Sequence, residues 1–324
     1  MPPLDERAFI LLGALLLDAL IGDPDWLWRR LPHPVALIGR LVAFLDTELN
    51  RPALVDPVRR LAGVVALAIL LSVAGGVALG ISLLLLSLPL GGAFEAIVAA
   101  VFLAGRSLYD HVRAVADALT ADGLEGGRAA VARIVGRDPA TLDEAGVCRA
   151  AIESCAESFA DGIVAPAFWY LVGGLPALIV YKAINTADSM IGYRNETHGA
   201  FGWAAARLDD LVNLIPARLS GLLVATAAAL SGRGALRSLK VMWQDAGKHT
   251  SPNAGWPEAA MAGALDLALA GPRVYEGRTV PGPWLHAEGR RDANIADIYG
   301  ALRLLIASSA VQAGAVAAVF WLAL

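Results

Sequence analysis

The chain has 324 residues, 57% of them hydrophobic and 17% charged, with a formal net charge of −4 and a mean hydropathy of +0.58. Soluble globular domains are about half apolar and about a quarter charged, so this balance indicates a protein embedded in lipid. The mildly acidic balance argues against a nucleic-acid partner, and abundant glycine and alanine suit helices packed closely in a bilayer.

The first segment, MPPLDERAFILLGALLLDALIGDP, lacks a basic leader and a small-residue cleavage site. Its apolar run is short and carries Asp18, so a buried or interfacial helix is expected. A carboxylate among apolar neighbours is costly and calls for a partner or a role. Gly22-Asp23-Pro24 marks a turn, and Pro32-His33-Pro34 holds a histidine between restricted neighbours. The plain reading is a proline-rich loop; the functional one is a rigid loop offering Asp23 and His33 to a phosphate or metal.

Leu61 to Phe94 contains no charged residue and, with the apolar stretch after Glu95, is too long for one span. A two-span hairpin turning at Pro89, Gly91 and Gly92 is expected. Next, GVCRAAIESCAESFAD has helical spacing of Cys148, Ile152, Cys155 and Phe159, which makes both cysteines small core residues. Seven residues apart on one helix, they are beyond disulfide reach. Glu153, Glu157 and Asp161 form an acidic stripe ending where a third apolar run, Gly162 to Tyr181, begins. The plain alternative is a solvated face with an Arg149–Glu153 pair.

The third run contains Pro166, Gly173-Gly174 and Pro176, each able to interrupt a helix. Broken helices at membrane depth are tolerated where they line an enclosed cavity, and they often mark binding sites. KAINTADSMIGYRNE follows at once, with Asn185, Thr186, Asp188, Ser189 and Arg194. A DDxxN cluster, Asp209, Asp210 and Asn213, then precedes a fourth run from about Leu211 to Gly232 that holds Arg218. Apolar periodicity at Leu208, Leu211, Val212 and Ile215 places Asp209 and Asn213 together on a neighbouring face. Oxygen-only ligands of this kind suit Mg²⁺. In SPNAGWPEAAMAGALDLALAGP, Pro257 suits the first helical position, with Glu258 just inside and Gly271-Pro272 stopping the helix. Ser251 and Asn253 lead into that N-terminus, an arrangement suited to an anion. The chain has no GxxxxGK[ST] loop, GxGxxG, zinc-type Cys/His spacing or GxSxG elbow.

The expected architecture is an all-α integral membrane protein, one membrane-embedded domain over 1–324 with four to five membrane segments, some broken or re-entrant. It divides into an N-terminal cytoplasmic segment (1–60), a hairpin (61–105), cytoplasmic helices (106–161) and membrane segments with a polar insert (162–232). A cytoplasmic loop (233–303) and a C-terminal membrane helix (304–324) complete it. Almost every Lys and Arg lies in the three large polar regions, which the positive-inside rule assigns to the cytoplasm.

Four blocks in this order resemble the adenosylcobinamide-phosphate synthase family of cobalamin biosynthesis, CobD/CbiB. They are DALIGDP…PHPVALIGR, ESCAESFADGIVAPAFWYLVGGLPALIVYKAINTADSMIGY, FGWAAARLDDLVNLIPARLSG and SPNAGWPEAAMAGAL, running from Asp18 to Leu265. One departure is Glu157-Ser158, where the family often has Glu-Asn. The resemblance implies a multi-pass enzyme of the cytoplasmic membrane that uses ATP and Mg²⁺. It would join an amino-alcohol phosphate, such as (R)-1-aminopropan-2-ol phosphate, to the propionate carboxylate of adenosylcobyric acid, and other pathway enzymes are candidate partners.

On that reading Asp188, Asp209 and Asp210 hold Mg²⁺, with Asn185, Thr186, Ser189 and Asn213 beside them. Ser251, Asn253 and Glu258 mark the phosphate loop, Asp23 is a further phosphate-binding residue, Arg194 and Arg218 clamp anions, and Glu153 or His33 takes the amine proton. Two other classes share part of the pattern. A transporter would bury carboxylates among broken helices but has no need of SPNAGWPE. A membrane phosphotransferase would use DDxxN but usually carries more Asp-rich motifs.

Overall fold

The computed structural model describes residues 2–136, 138–193, 195–232, 234–275, 278–280 and 282–324. Helices in chain order are α1 (Leu4–Ile21), α2 (Asp25–Trp28), α3 (Pro34–Leu49), α4 (Asp56–Leu86), α5 (Gly91–Ala100), α6 (Gly105–Val131) and α7 (Glu144–Phe159). They continue as α8 (Ala165–Ile191), α9 (Trp203–Val212), α10 (Leu214–Leu230), α11 (Ala235–Asp245), α12 (Gly255–Leu265) and α13 (Ile295–Ala323). Among the described residues the strands form two short antiparallel ladders. Strand β1 (Leu269–Ala270) pairs with β4 (Trp284–Leu285), and β2 (Arg273–Tyr275) pairs with β3 (Arg278–Val280).

Among the described residues, four helical stretches are long and apolar enough to cross a membrane: Asp56–Leu86, Gly91–Val131, Glu144–Ile191 and Ile295–Ala323. The bent pair Trp203–Val212 and Leu214–Leu230 passes the same test together. The protein is an all-α, multi-pass membrane protein by this measure. α4 shows why: Leu61, Val65, Ile69, Val73, Leu83 and Leu84 are exposed, a face suited to lipid and not to water.

Where the sequence reading has one domain, contacts group the residues into two compact units. The first comprises Met1–Ala104, Ala165–Asn213 and Val316–Leu324; the second comprises Gly105–Val164 and Leu214–Ala315. In the first, α4 and α3 pack on α8, and α1 packs on α5, around Leu11, Leu70, Tyr170, Leu178 and Phe201. In the second, α10, α11 and α12 pack together and α6 packs on α7. Gly263 permits a close approach there, since a Cβ on it would lie 2.8 Å from the Arg237 carbonyl oxygen.

Several local expectations are corrected. The chain turns at Ser87–Leu90, which includes Pro89 as foreseen but leaves Gly91 and Gly92 in α5; the second arm reaches spanning length only over Gly91–Val131, and α5 itself has ten residues. At 1.5 Å per residue that is about 15 Å, half the hydrocarbon thickness of about 30 Å. It ends where the N–H groups of Phe102 and Leu103 bond three residues back, tightening the chain into a turn before α6. α12 starts at Gly255, two residues before Pro257, and stops at Leu265 instead of at Gly271-Pro272. There Asp266 takes the left-handed conformation, φ 59°, with Arg237 and His286 holding its carboxylate.

The third run is broken as expected, with non-helical backbone at Gly173 and Gly174. A π-helical turn, Ala160–Val164, contains Asp161 at the start of that run, and the expected acidic stripe is unevenly exposed, with Glu153 buried, Glu157 exposed and Asp161 half-buried. Cys148 and Cys155 are both buried and unbridged.

Candidate functional site

In the first unit, the half of α8 beyond the break and the helix α9 bring the expected polar residues together. Asn213 is 1% exposed; its amide donates to Asp209 Oδ2 at 3.0 Å and its oxygen accepts from the Tyr181 hydroxyl at 3.0 Å. Asn185 reaches Asp209 Oδ1 at 3.4 Å. The DDxxN spacing explains the first contact, because residues four apart share a helix face. Trp169 fixes the end of α9 by donating to the Val212 carbonyl at 3.2 Å.

Asp188 and Asp209 lie close enough to repel one another, and Asp210 adds to the same field. Arg207 offsets it through an ion pair with Asp210 at 2.8 Å. An open groove of about 460 Å³ adjoins this cluster, lined by Gly192, Asn195, Gly199, Trp203, Ala206 and Arg207. The loop carrying it is anchored by His198, whose Nε2 meets Asp46 at 3.1 Å, and by Arg59, which donates to the carbonyls of Glu196 and Thr197. Thr186 and Ser189 turn their hydroxyls back onto the Lys182 and Asn185 carbonyls, at 2.7 and 2.8 Å. Arg194 lies outside the described residues.

His33 and Asp23 are in the same unit, with Nε2 and Oδ1 3.3 Å apart. His33 Nδ1 accepts from the Val35 N–H at 3.2 Å, capping α3. That contact leaves the ring proton on Nε2, facing Asp23. The rigid loop is therefore real, and both ring nitrogens are engaged in it.

In the second unit, Ser251 Oγ accepts from the N–H groups of Asn253 and Ala254, each at 3.2 Å, so it caps the entry to α12. Asn253 and Glu258 are buried at 6% and 2% exposure. His249 links the loop: Nδ1 accepts from Ser251 N at 3.0 Å and Nε2 lies 3.7 Å from Glu258. Arg218 lies over the Trp256 ring at 4.4 Å and donates to the Leu214 carbonyl at 2.7 Å, so its charge is directed along α10 and onto an indole. Glu153 is buried and accepts from the Ala270 N–H at 2.9 Å, while Arg149 lies near Asp143 and donates to the Arg291 carbonyl. Burial of Glu153 replaces the solvated face of the plain alternative.

Among the described residues, no group of three or more His, Cys, Asp or Glu side chains is arranged to hold a metal ion by itself. Mg²⁺ does not demand one, since it typically takes one or two carboxylates and completes its shell with water and phosphate. Asp188, Asp209 and Asp210 do not form a cage together, and an open site would need only one or two of these carboxylates.

Sequence reasoning passed over Tyr181, Arg207 and His249. Arg207 was readable as the residue three before Asp210, and His249 as the residue two before Ser251. Tyr181 is 32 residues from its partner Asn213, and no local spacing announces it.

The family model described as CobD/Cbib protein matches residues 11–305. A cobalamin biosynthesis protein CobD of a Sinorhizobium species is 54% identical over 314 residues, 96% of this chain and 97% of its own length. Proteins of the same name from Rhizobium meliloti and Rhodobacter capsulatus are 52% and 48% identical, each over 97% of this chain and at least 97% of their own length. No solved structure matches. The chain belongs to the CobD/CbiB family, whose relatives named above are cobalamin biosynthesis proteins.

Proposed function

We propose that this protein is the cobalamin-pathway ligase of the cytoplasmic membrane, with its large polar loops on the cytoplasmic side. It joins an amino-alcohol phosphate, (R)-1-aminopropan-2-ol phosphate or a close analogue, to the propionate carboxylate of adenosylcobyric acid. The observation that carries the reading is the buried Asp209–Asn213–Tyr181 network beside Asn185, Asp188 and Asp210, in a chain of this family.

An amide does not form from a carboxylate and an ammonium without activation. The propionate oxygen takes the γ-phosphoryl group of ATP, releasing ADP; the amine attacks the acyl carbon, and phosphate leaves with that oxygen. Asp188 with Asp209 or Asp210 would hold Mg²⁺, which would supply neutralisation of the charge on the transferred phosphoryl group. Asn213 and Asn185 hold the Asp209 carboxylate in one orientation, which makes the site preorganised for charge that develops during transfer. Arg207 restrains Asp210 at the groove.

Glu153 and His33 are the candidate bases for the amine. The basic lone pair of His33 is on Nδ1, where it takes the Val35 N–H, so His33 accepts the amine proton only as that cap opens, with Asp23 at Nε2 balancing the imidazolium. Ser251 and Asn253 shape the α12 entry as the phosphate grip of the second unit.

The test is the complete reaction with protein in detergent: adenosylcobyric acid, aminopropanol phosphate, ATP and Mg²⁺, each omitted in turn. A corrinoid heavier by one amide-linked aminopropanol phosphate, absent without ATP, is expected. No product with this amine, with ethanolamine phosphate or with added membrane extract, from protein that melts cooperatively, removes the proposal and turns attention to transport.

A further inference from the structure

The break in α8 has a local cause and a distant remedy. Pro176 has no N–H, so the Val172 carbonyl has no helical donor four residues on. Gly173 (φ −137°) and Gly174 (φ 64°) leave helical geometry just after Leu171 and Val172, which interrupts the regular ladder at their carbonyls. Unsatisfied carbonyls are expensive away from water. Both are satisfied by one side chain from the start of the protein: Arg7 Nη1 donates to the Leu171 oxygen at 2.5 Å and to the Val172 oxygen at 2.7 Å.

Arg7 is only 9% exposed, and its charge also opposes the negative end of the half-helix it caps. One residue earlier, the Tyr170 hydroxyl donates to Glu95 Oε1 at 2.7 Å, with Glu95 2% exposed. Arg7 and Glu95 sit on α1 and α5, which pack against each other. The broken point is thus held from two mutually braced helices. Beyond it, the second half of α8 carries Tyr181, Asn185 and Asp188 to their partners on α9 and at its end.

We propose that Arg7 is a positioning residue for this cluster, setting the direction of the half-helix that bears Asn185 and Asp188, with Glu95–Tyr170 steadying the same point. It touches no reacting atom. The proposal rests on the functional reading above only in treating Asn185 and Asp188 as site residues.

Two readouts separate it from a merely structural role. In the first, an Asn185→Cys/Asp209→Cys pair is bridged by a short bifunctional thiol reagent, the native cysteines being buried. Arg7→Met in that background should lower bridging about fivefold or more, and Arg7→Lys, which keeps charge and donors, should retain most of it. In the second, with native residues 185 and 209, Arg7→Met should lower kcat about tenfold or more and Arg7→Lys should restore most of the loss. If Arg7→Met does not fold, Arg7→Gln, which keeps one amide donor, is read in its place with the same expectations. Bridging equal to the parent in folded Arg7→Met, or Arg7→Lys no better than Arg7→Met, overturns the proposal. Should the unmutated chain make no amide product, the reaction reading falls, and the bridging experiment alone still decides the role of Arg7.

Discussion

The hydrogen bond between Asn213 and Asp209 should be measurable as a coupling energy. Asn213→Ala removes an amide that serves a buried carboxylate at 3.0 Å and a buried tyrosine hydroxyl at 3.0 Å. In a soluble protein a hydrogen bond to a charged group contributes about 1.5–3 kcal/mol and a neutral one about 0.5–1.5 kcal/mol. Between helices in lipid the average is lower, about 0.6 kcal/mol, with a maximum near 1.7. Asn213 is 1% exposed and enclosed by protein, and one partner is a carboxylate, so the upper part of the lipid range applies. We expect a coupling of about 1–1.7 kcal/mol between Asn213→Ala and Asp209→Ala, a factor of about 5–18 in the folding equilibrium. Four proteins (the parent, both single variants and the double variant) would be unfolded reversibly in mixed detergent and followed by tryptophan emission. Tyr181→Phe, which removes only the neutral bond, should cost less than Asn213→Ala. If the two alanine effects add to within about 0.3 kcal/mol, as independent sites do, the network does not exist as described.

Other expectations follow from single positions. Gly202→Ala places a Cβ 1.6 Å from the Ile191 carbonyl oxygen, so α9 must shift against the end of α8; overpacking of this kind costs about 1–3 kcal/mol or more, read as a lowered thermal midpoint. Asp188→Ala should abolish amide formation while membrane insertion and the melt are retained, and near-normal turnover would remove Asp188 from the site. The His286 hydrogen bond, with Arg237 and Arg290 nearby, holds the Asp266 carboxyl below its usual range. A depressed folded pKa means that its stabilisation is present above the ordinary aspartate range and is lost as pH falls through the lowered value. Asp266→Asn should flatten that acid limb of the stability profile, and an unchanged limb would assign it to other groups.

Much of this fold was legible because lipid imposes strong rules. The charge-free stretch from Leu61 to Phe94 had to contain a span, and Gly173-Gly174-Pro176 had to interrupt one. The DDxxN spacing anticipated the Asp209–Asn213 contact because it depends only on helix periodicity. What escaped depended on partners remote in sequence. Nothing near Pro176 indicates that Arg7, more than 160 residues away, caps the break. Ser251 was expected at a phosphate loop, and that its hydroxyl also accepts from two N–H groups of that loop is something residue type does not reveal. The π-helical turn at Ala160–Val164 was invisible for a related reason: its residues have ordinary helical propensity, and one extra residue in the turn is a tertiary choice.

The most direct test of the proposed chemistry is the fate of a carboxylate oxygen. Adenosylcobyric acid carrying ¹⁸O in its free propionate would be converted with aminopropanol phosphate, ATP and Mg²⁺, and both products analysed by mass. The account predicts that one labelled oxygen appears in inorganic phosphate for each amide formed, because the carboxylate oxygen departs with the phosphoryl group it received. Unlabelled phosphate, or an amide formed without ATP consumption, would contradict it.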